Sequence, residues 1–526
     1  MAAPTRGRRG SPSRRPVARP ARRGHPLLFA RPPPRVPALR NGAPMTSVQA
    51  RPETARPAAA PSSASTQRYR VVWRWHFYAG LFVAPVLLVL AVTGSIYLFK
   101  EPFEAWRYQD VRTLAEPVTA PRPLSEQIAA AQSARPGTPV MSVIPPTSPG
   151  RTTRVILQGP EPGPFAEGIS VYVDPGTAEV VGQIDDSATF MRVVRTIHGE
   201  LMSGTAGDRV VEIAACWALI LVATGTYLWW SGRRTRGRSA RSGRGRLRRL
   251  HLMTGVGGGA VVVFLVLSGL PWSGVWGDGL KRIQDSTGST SPSADDYPNT
   301  SAPPLSGDLS DHPDAKVPWA AERLPVPPSG DEHAGHGSPA GVLQPGALPV
   351  EAALAAAKPR IRQCAAAECD VKVLLPDGPR GVYTIVTDHR RDPSAAQTLH
   401  VDQYSGRVLV SYGWAEYGVM AKAVEQGIAL HEGRRYGTAN LIVMLGACLA
   451  LITLVVTGAW MWWKRRPRGR AGAPARATDR RTAYGVMAIM ALLGLLFPLA
   501  GITMAAVLLL DWLVLRRIPA AARVFG

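Results

Sequence analysis

The chain has 526 residues, a formal net charge of +24 and a mean hydropathy near zero that conceals sharply segregated apolar and polar stretches. That length accommodates several domains, and so basic a chain first suggests nucleic acid. The arginines, however, collect in the N-terminal tail and beside the ends of apolar spans, where the positive-inside rule puts them. Nucleic acid is therefore excluded as a partner, and the lipid bilayer takes its place.

Residues 1–68 are Arg, Pro, Ala and Ser without periodicity and read as a disordered tail. They lack the compact basic start and small-residue cleavage site of a signal peptide, and Met45 is a second candidate start. A membrane span needs about 20 apolar residues. His76–Phe99, Val210–Trp230, His251–Trp276 and Leu441–Trp463 qualify, within segments 72–100, 195–230, 251–277 and 428–463. The second and fourth segments include a histidine ahead of the apolar run. A fifth region, 483–515, is too long for one ordinary span, and its Phe497-Pro498 centre divides it into a hairpin or leaves one broken helix.

The basic loops 231–250 and 464–482 predict a cytoplasmic side, which puts the N-terminus inside and the two long loops outside. Arg516-Arg517 favours a return to the inside, hence the hairpin. Trp229-Trp230 and Trp462-Trp463 then sit as aromatic anchors at the cytoplasmic interface.

The long loops resemble each other. In 105–190 a helical candidate, Leu124–Gln132, precedes β-rich segments ending around Asp174-Pro-Gly; in 346–415, Val350–Ala357 precedes β-rich segments ending around Asp402-Gln-Tyr-Ser-Gly. Each ending carries the signature of a hairpin. Residues 283–345 between them read as a flexible linker. The predicted fold class is thus a polytopic all-α membrane bundle, four core helices plus a C-terminal apolar helix or hairpin, with two small α+β extracytoplasmic modules. Of four cysteines, Cys216 and Cys448 lie in apolar spans as small hydrophobes, and Cys364 and Cys369 are spaced for a disulfide outside the cytoplasm.

The bundle carries an internal repeat. Shifted by 233 positions, His198, Gly204-Thr205-Ala206, Thr224-Gly225 and Trp229-Trp230 fall on His431, Gly437-Thr438-Ala439, Thr457-Gly458 and Trp462-Trp463. Shifted by 175, Arg74-x-His76, Gly80 and Thr93-Gly94 fall on Arg249-x-His251, Gly255 and Ser268-Gly269. Histidine is costly in a membrane span and is a functional candidate there by default. Topology sorts the four by side, His76 with His251 at the cytoplasmic edge and His198 with His431 at the outer one. Neutral imidazole is the usual ligand of a six-coordinate haem b, so two pairs would hold two haems.

Gly80 and Gly255 follow their histidines by one turn, Gly94 and Gly269 by five turns, and all share that face. They leave room for a flat macrocycle at the inner and outer levels respectively, and Gly225 and Gly458 do so at the inner level; the alternative for each glycine is a small-residue helix crossing. His198 and His431 stand about ten residues ahead of their apolar runs. A straight helix would lift them about 15 Å above the hydrocarbon, so they ligate a high-lying haem or contact a substrate or soluble domain.

His333 and His336, beside Asp331 and Glu332, form a weak divalent-metal candidate in a Gly/Ser stretch. His389 and His400 read as surface residues of the second module. His25 and His312 fall in disordered segments. No catalytic side chain is assigned, and the chain shows no zinc-protease, phosphate-loop or dinucleotide motif.

The segments Trp-Arg-Trp-His76, Leu-His251, Ile-His198-Gly-Glu and Leu-His431-Glu-Gly-Arg, each with a Thr/Ser-Gly, resemble the PepSY-associated transmembrane family of bacterial iron-regulated proteins. The endings Tyr-Leu-Trp-Trp and Trp-Met-Trp-Trp belong to the same pattern, and the modules around Val173-Asp174-Pro-Gly-Thr and Val401-Asp402-Gln-Tyr-Ser-Gly resemble PepSY domains. The resemblance covers roughly 68–515, apart from the linker. It implies a bacterial cytoplasmic (inner) membrane protein, and for some members a di-haem reductase that releases iron from ferric siderophores. On that reading electrons enter at His76/His251 and leave at His198/His431. Because the cytoplasmic loops are too short for a flavin or nicotinamide domain, the donor is a separate cytoplasmic protein or a membrane quinol. The alternative is a non-enzymatic PepSY membrane protein that binds or regulates an extracytoplasmic protein partner.

Overall fold

A computed structural model describes residues 64–159, 168–233, 243–292, 297–301, 344–362, 369–389, 391–467, 469–470, 472, 480–515 and 517–519. His25, His312, the His333/His336 group, Cys364 and most of the linker lie outside these described residues. The elements in chain order begin with α1 (Ala64–Tyr97), α2 (Lys100–Arg107), α3 (Gln109–Arg112), α4 (Leu124–Ala134), β1 (Val140–Ile144), β2 (Thr153–Leu157), β3 (Ile169–Val173) and β4 (Val180–Asp185). Next come α5 (Phe190–Glu200), α6 (Gly204–Arg233), α7 (Gly243–Gly269), α8 (Gly274–Ser286), α9 (Val350–Ala357), β5 (Cys369–Leu374), β6 (Val382–His389), β7 (Gln397–Asp402) and β8 (Val408–Gly413). The chain continues through α10 (Val419–His431), α11 (Thr438–Arg465), α12 (Arg480–Leu496) and α13 (Pro498–Leu510).

Among the described residues four helices are long and apolar enough to cross a membrane: α1, α6, α7 and α11. They pack as two pairs, α1 on α6 and α7 on α11, and the pairs close on each other through α1 on α11 and α6 on α7. The C-terminal region forms two helices that break at Phe497, where Pro498 ends the run. They cross closely enough that a Cβ added to Gly494 would come within 2.9 Å of the Gly501 Cα, and Trp217 Nε1 of α6 donates to Thr503 Oγ1 at 3.0 Å.

The predicted fold class is overturned by the strands. They do not form two separate modules beside an otherwise all-α chain; they form one open, eight-stranded antiparallel sheet in the order β4-β3-β2-β1-β5-β6-β7-β8. The join is the β1–β5 pair, with Ser142 opposite Leu374 and Val143 opposite Val373. Each module alone would leave β1 or β5 as a bare edge, and pairing them removes both liabilities. Strand β1 was not foreseen, and it is the strand that makes the join. Val143, Val155, Val373, Ile385 and Leu399 bury fully in one core across both halves. α4 and α9 lie on the sheet and are tied by Ser125 Oγ donating to Glu351 at 2.8 Å.

Each half-sheet ends in the hairpin foreseen. Asp174 Oδ1 accepts the Gly176 N–H at 2.7 Å, and Asp402 Oδ1 accepts those of Tyr404 and Ser405 at 2.9 and 2.8 Å. The left-handed position is held by Gly406 (φ 69°) in one hairpin and by Ala178 (φ 59°) in the other. Cys369 is disulfide-bonded. His400 is a second correction: it is fully buried, with its ring nitrogens at 3.2 Å from the Pro298 carbonyl oxygen and 3.3 Å from the Tyr412 hydroxyl.

One acid of the second apolar span is buried in the bundle. Glu212, 1% exposed within α6, accepts the backbone N–H groups of Val275 and Trp276 at 2.9 and 3.1 Å, and Asp208 accepts that of Gly274 at 3.2 Å. Ser273 makes no side-chain cap, so these carboxylates satisfy the start of α8 and favour its positive dipole end. Glu212→Ala should lower stability by about 2–4 kcal/mol, since two buried donors lose a charged acceptor. Unfolding midpoints in detergent measure this; a loss under about 0.5 kcal/mol, the range of a neutral surface change, would contradict the capping role.

Candidate functional site

The four repeated histidines do not project straight above the bundle. α5 stops at His198-Gly199-Glu200, and Leu201 (φ 49°), Met202 (φ 56°) and the first residue of α6, Gly204 (φ 54°), reverse the chain. α10 stops at His431, and Gly433 (φ 74°) and Gly437 (φ 58°) do the same before α11. The straight-helix estimate of 15 Å is therefore wrong. Left-handed residues at each break fold the short helix back, which brings His198 to the level of Thr93 on α1 and His431 to that of Ser268 on α7.

Every histidine meets the hydroxyl of a Thr/Ser-Gly dipeptide on a neighbouring helix. The Nδ1 atoms of His76, His198, His251 and His431 lie 2.9, 2.9, 2.9 and 3.0 Å from the hydroxyl oxygens of Thr224, Thr93, Thr457 and Ser268. Each hydroxyl also donates its only proton to a carbonyl one turn back in its own helix: Thr224 to Ile220, Thr93 to Val89, Thr457 to Thr453 and Ser268 to Phe264, at 2.6–2.8 Å. With that proton committed, the hydroxyl oxygen accepts, and Nδ1 of each imidazole carries the N–H. Nε2 is left with its lone pair, the form in which imidazole binds a metal. Sequence reading had picked out these hydroxyls as part of a repeat without giving them a task.

The paired glycines serve the same contact. A Cβ on Gly225, Gly94 or Gly269 would lie 3.2 Å from Cε1 of His76, His198 or His431, and one on Gly458 would lie 3.6 Å from Cε1 of His251. These four glycines admit the edge of an imidazole, which differs from the macrocycle clearance expected of them. Gly80 and Gly255 face Leu221 and Leu454 across the helix contacts and line an internal cavity.

Hydroxyl and histidine are exchanged within each half, α1 with α5 and α6, and α7 with α10 and α11. The halves then bring their histidines together. The rings of His198 and His431 stand 6.5 Å apart at 73° to each other, with Trp272 edge-on to His431. His76 and His251 both line one cavity of about 540 Å³, within the range of roughly 300–1,000 Å³ found for small-molecule and cofactor sites. Its walls are mostly aliphatic and aromatic, and Trp229 and Trp462 are among them. The neighbouring Trp230 and Trp463 are more than half exposed on the outside of the bundle. Only the second tryptophan of each pair is therefore placed as a plain anchor. Among the described residues no group of three or more His, Cys, Asp or Glu is assembled.

The model of the PepSY-associated TM region matches residues 73–465. The chain belongs to that family. No curated protein matches it. The matched region of this PepSY-associated membrane protein holds all four histidines, their hydroxyl partners and the described part of the sheet.

The glycine contacts differ in a testable way. Gly225→Ala forces His76 to give way at 3.2 Å and should cost about 1–3 kcal/mol, the range for overpacking. Gly458→Ala, at an ordinary 3.6 Å, should cost less than about 1 kcal/mol. Unfolding midpoints of the two variants in one detergent decide it; equal losses would contradict the imidazole-edge role.

Proposed function

We propose that this protein carries electrons across the bacterial cytoplasmic membrane on two haem b groups and reduces a ferric complex, of siderophore type, on the outer side. The single observation behind the reading is the set of four imidazoles, each with Nδ1 within 3.0 Å of a Thr or Ser hydroxyl on a neighbouring helix, arranged as two pairs.

The residues fit the group. His198 and His431, with ring centroids 6.5 Å apart, are near enough that both would hold one metal-centred group. Each pair offers two nitrogens, so the remaining coordination positions must come from the bound group, as a porphyrin provides. The cavity shared by His76 and His251 has the volume and apolar lining a flat macrocycle needs. Bound there, haem would supply a one-electron carrier at each level, and reduction of Fe³⁺ to Fe²⁺ weakens its hold by hard oxygen ligands. The protein's own part is to fix the imidazole tautomers, exclude water with Trp229, Trp462 and their aliphatic neighbours, and seat the acceptor near the sheet. The basic loops support the sheet lying outside the cytoplasm, and their shortness supports a donor that is a separate cytoplasmic protein or a quinol.

Protein purified after haem-replete expression should show a Soret band and, on dithionite reduction, an α-band. His76→Ala or His251→Ala should remove one haem and spare the other. Absence of both bands in the parent protein ends this reading and leaves a PepSY membrane protein that binds a partner outside. Loss of both haems from either single variant contradicts the pairing.

A further inference from the structure

A second cavity, about 120 Å³, opens where the sheet meets the helices, and the proposed electron path does not use it. At about 30 Å³ per water it has room for roughly four waters or one small oxyanion group. Its lining is strongly biased in charge. Among the described residues of the lining, Lys100, Arg112, Arg154, Arg192 and Arg195 supply five cations, against two acids, Glu104 and Asp186, and Arg192 and Arg195 have interactions of their own. Both acids are already engaged: Glu104 lies 3.5 Å from Arg112, and Asp186 accepts from Arg154 at 2.9 Å and from the Ser170 hydroxyl at 2.6 Å. Burial works against the charge on Lys100, but Tyr97, Glu104 and Glu101 outweigh it and raise its pKa above the ordinary lysine value, so it is cationic at neutral pH. The first turn of the eleven-residue helix α5 (Thr189, Met191 and Arg192) also lines the cavity, adding a positive dipole end.

Its placement is as informative as its charge. Tyr97 stands one turn beyond Thr93 on α1, about 6 Å further along the axis, and Thr93 is the hydroxyl that holds His198. Arg195 lies one turn before His198 on α5, and Arg192 one turn before that. Two elements that position the imidazole therefore also line the cavity. Guanidinium groups recognise planar carboxylates by paired, charge-assisted hydrogen bonds.

We propose that this cavity is a carboxylate-binding site beside the His198/His431 pair. The carboxylate comes from one of two sources, a free chelate such as a ferric carboxylate complex or the side chains of a porphyrin held at that pair; the second source, unlike the site itself, rests on the haem reading.

The full-length protein in detergent is titrated with citrate at low and high salt, alongside Arg192→Gln, Arg195→Gln, the charge-keeping Arg192→Lys, and Arg107→Gln, which lies outside the lining. In parallel, protein freed of cofactor is reloaded with haem b or with its dimethyl ester, whose carboxylates are blocked. A chelate source is expected to give saturable, salt-sensitive citrate binding, weakened about tenfold or more by either glutamine variant, held by Arg192→Lys and unchanged by Arg107→Gln. A porphyrin source is expected to give no citrate binding but a preference for haem b over the ester, abolished by the same two variants. Absence of both responses in the parent protein overturns the site. Citrate binding by a protein that takes up no haem would sink the haem reading and leave this site standing.

Discussion

Everything distinctive in the bundle depends on one contact, a hydroxyl on one helix accepting the Nδ1–H of an imidazole on another. In a membrane interior a polar group without a partner is expensive, and a Thr/Ser hydroxyl meets that cost by donating to its own helix. Its oxygen then has only acceptor capacity left, and that single fact settles the protonation of the facing ring. The contact occurs four times, twice in each half of the repeat. The two halves then bring their histidines together, His198 with His431 and His76 with His251.

The sheet extends the same two-halves logic outside the bundle. β1 and β5, the central strands, seal the halves together, while the outermost strands lead directly to the histidine helices: β4 runs into α5 with His198, and β8 into α10 with His431. Arg154 on β2 grips Asp186 in the turn before α5, and Arg435 after α10 reaches Asp392 at 3.2 Å. The sheet is therefore the frame from which His198 and His431 hang, and the chain reversals after them fix where they meet α1 and α7.

Much of this was legible in the sequence because it is periodic. Apolar spans, basic loops and a histidine repeat at fixed offsets are one-dimensional signals, and they located the four long helices, the Asp-turn hairpins and the four imidazoles. What escaped was three-dimensional. The β1–β5 pairing joins strands more than 220 positions apart, and nothing local in Val140–Ile144 announces its partner. The reversals at Leu201 and Met202 use non-glycine residues in a left-handed conformation, which no composition rule flags. The glycines read as clearance for a macrocycle include four that stand against an imidazole edge, because a missing side chain looks the same in either case. Glu212 was visible as an acid inside an apolar span, but its partners, Val275 and Trp276, follow only from the packing of α8 on α6.

Electron paramagnetic resonance of the oxidised, haem-replete protein tests the fixed-tautomer pairs most directly, because it reads the axial ligands themselves. Two bare Nε2 atoms on each iron predict low-spin, six-coordinate ferric signals from both levels, with Thr93→Val perturbing only the signal assigned to His198 and His431. A dominant high-spin, five-coordinate signal, or a Thr93→Val spectrum identical to that of the parent protein, would contradict the arrangement.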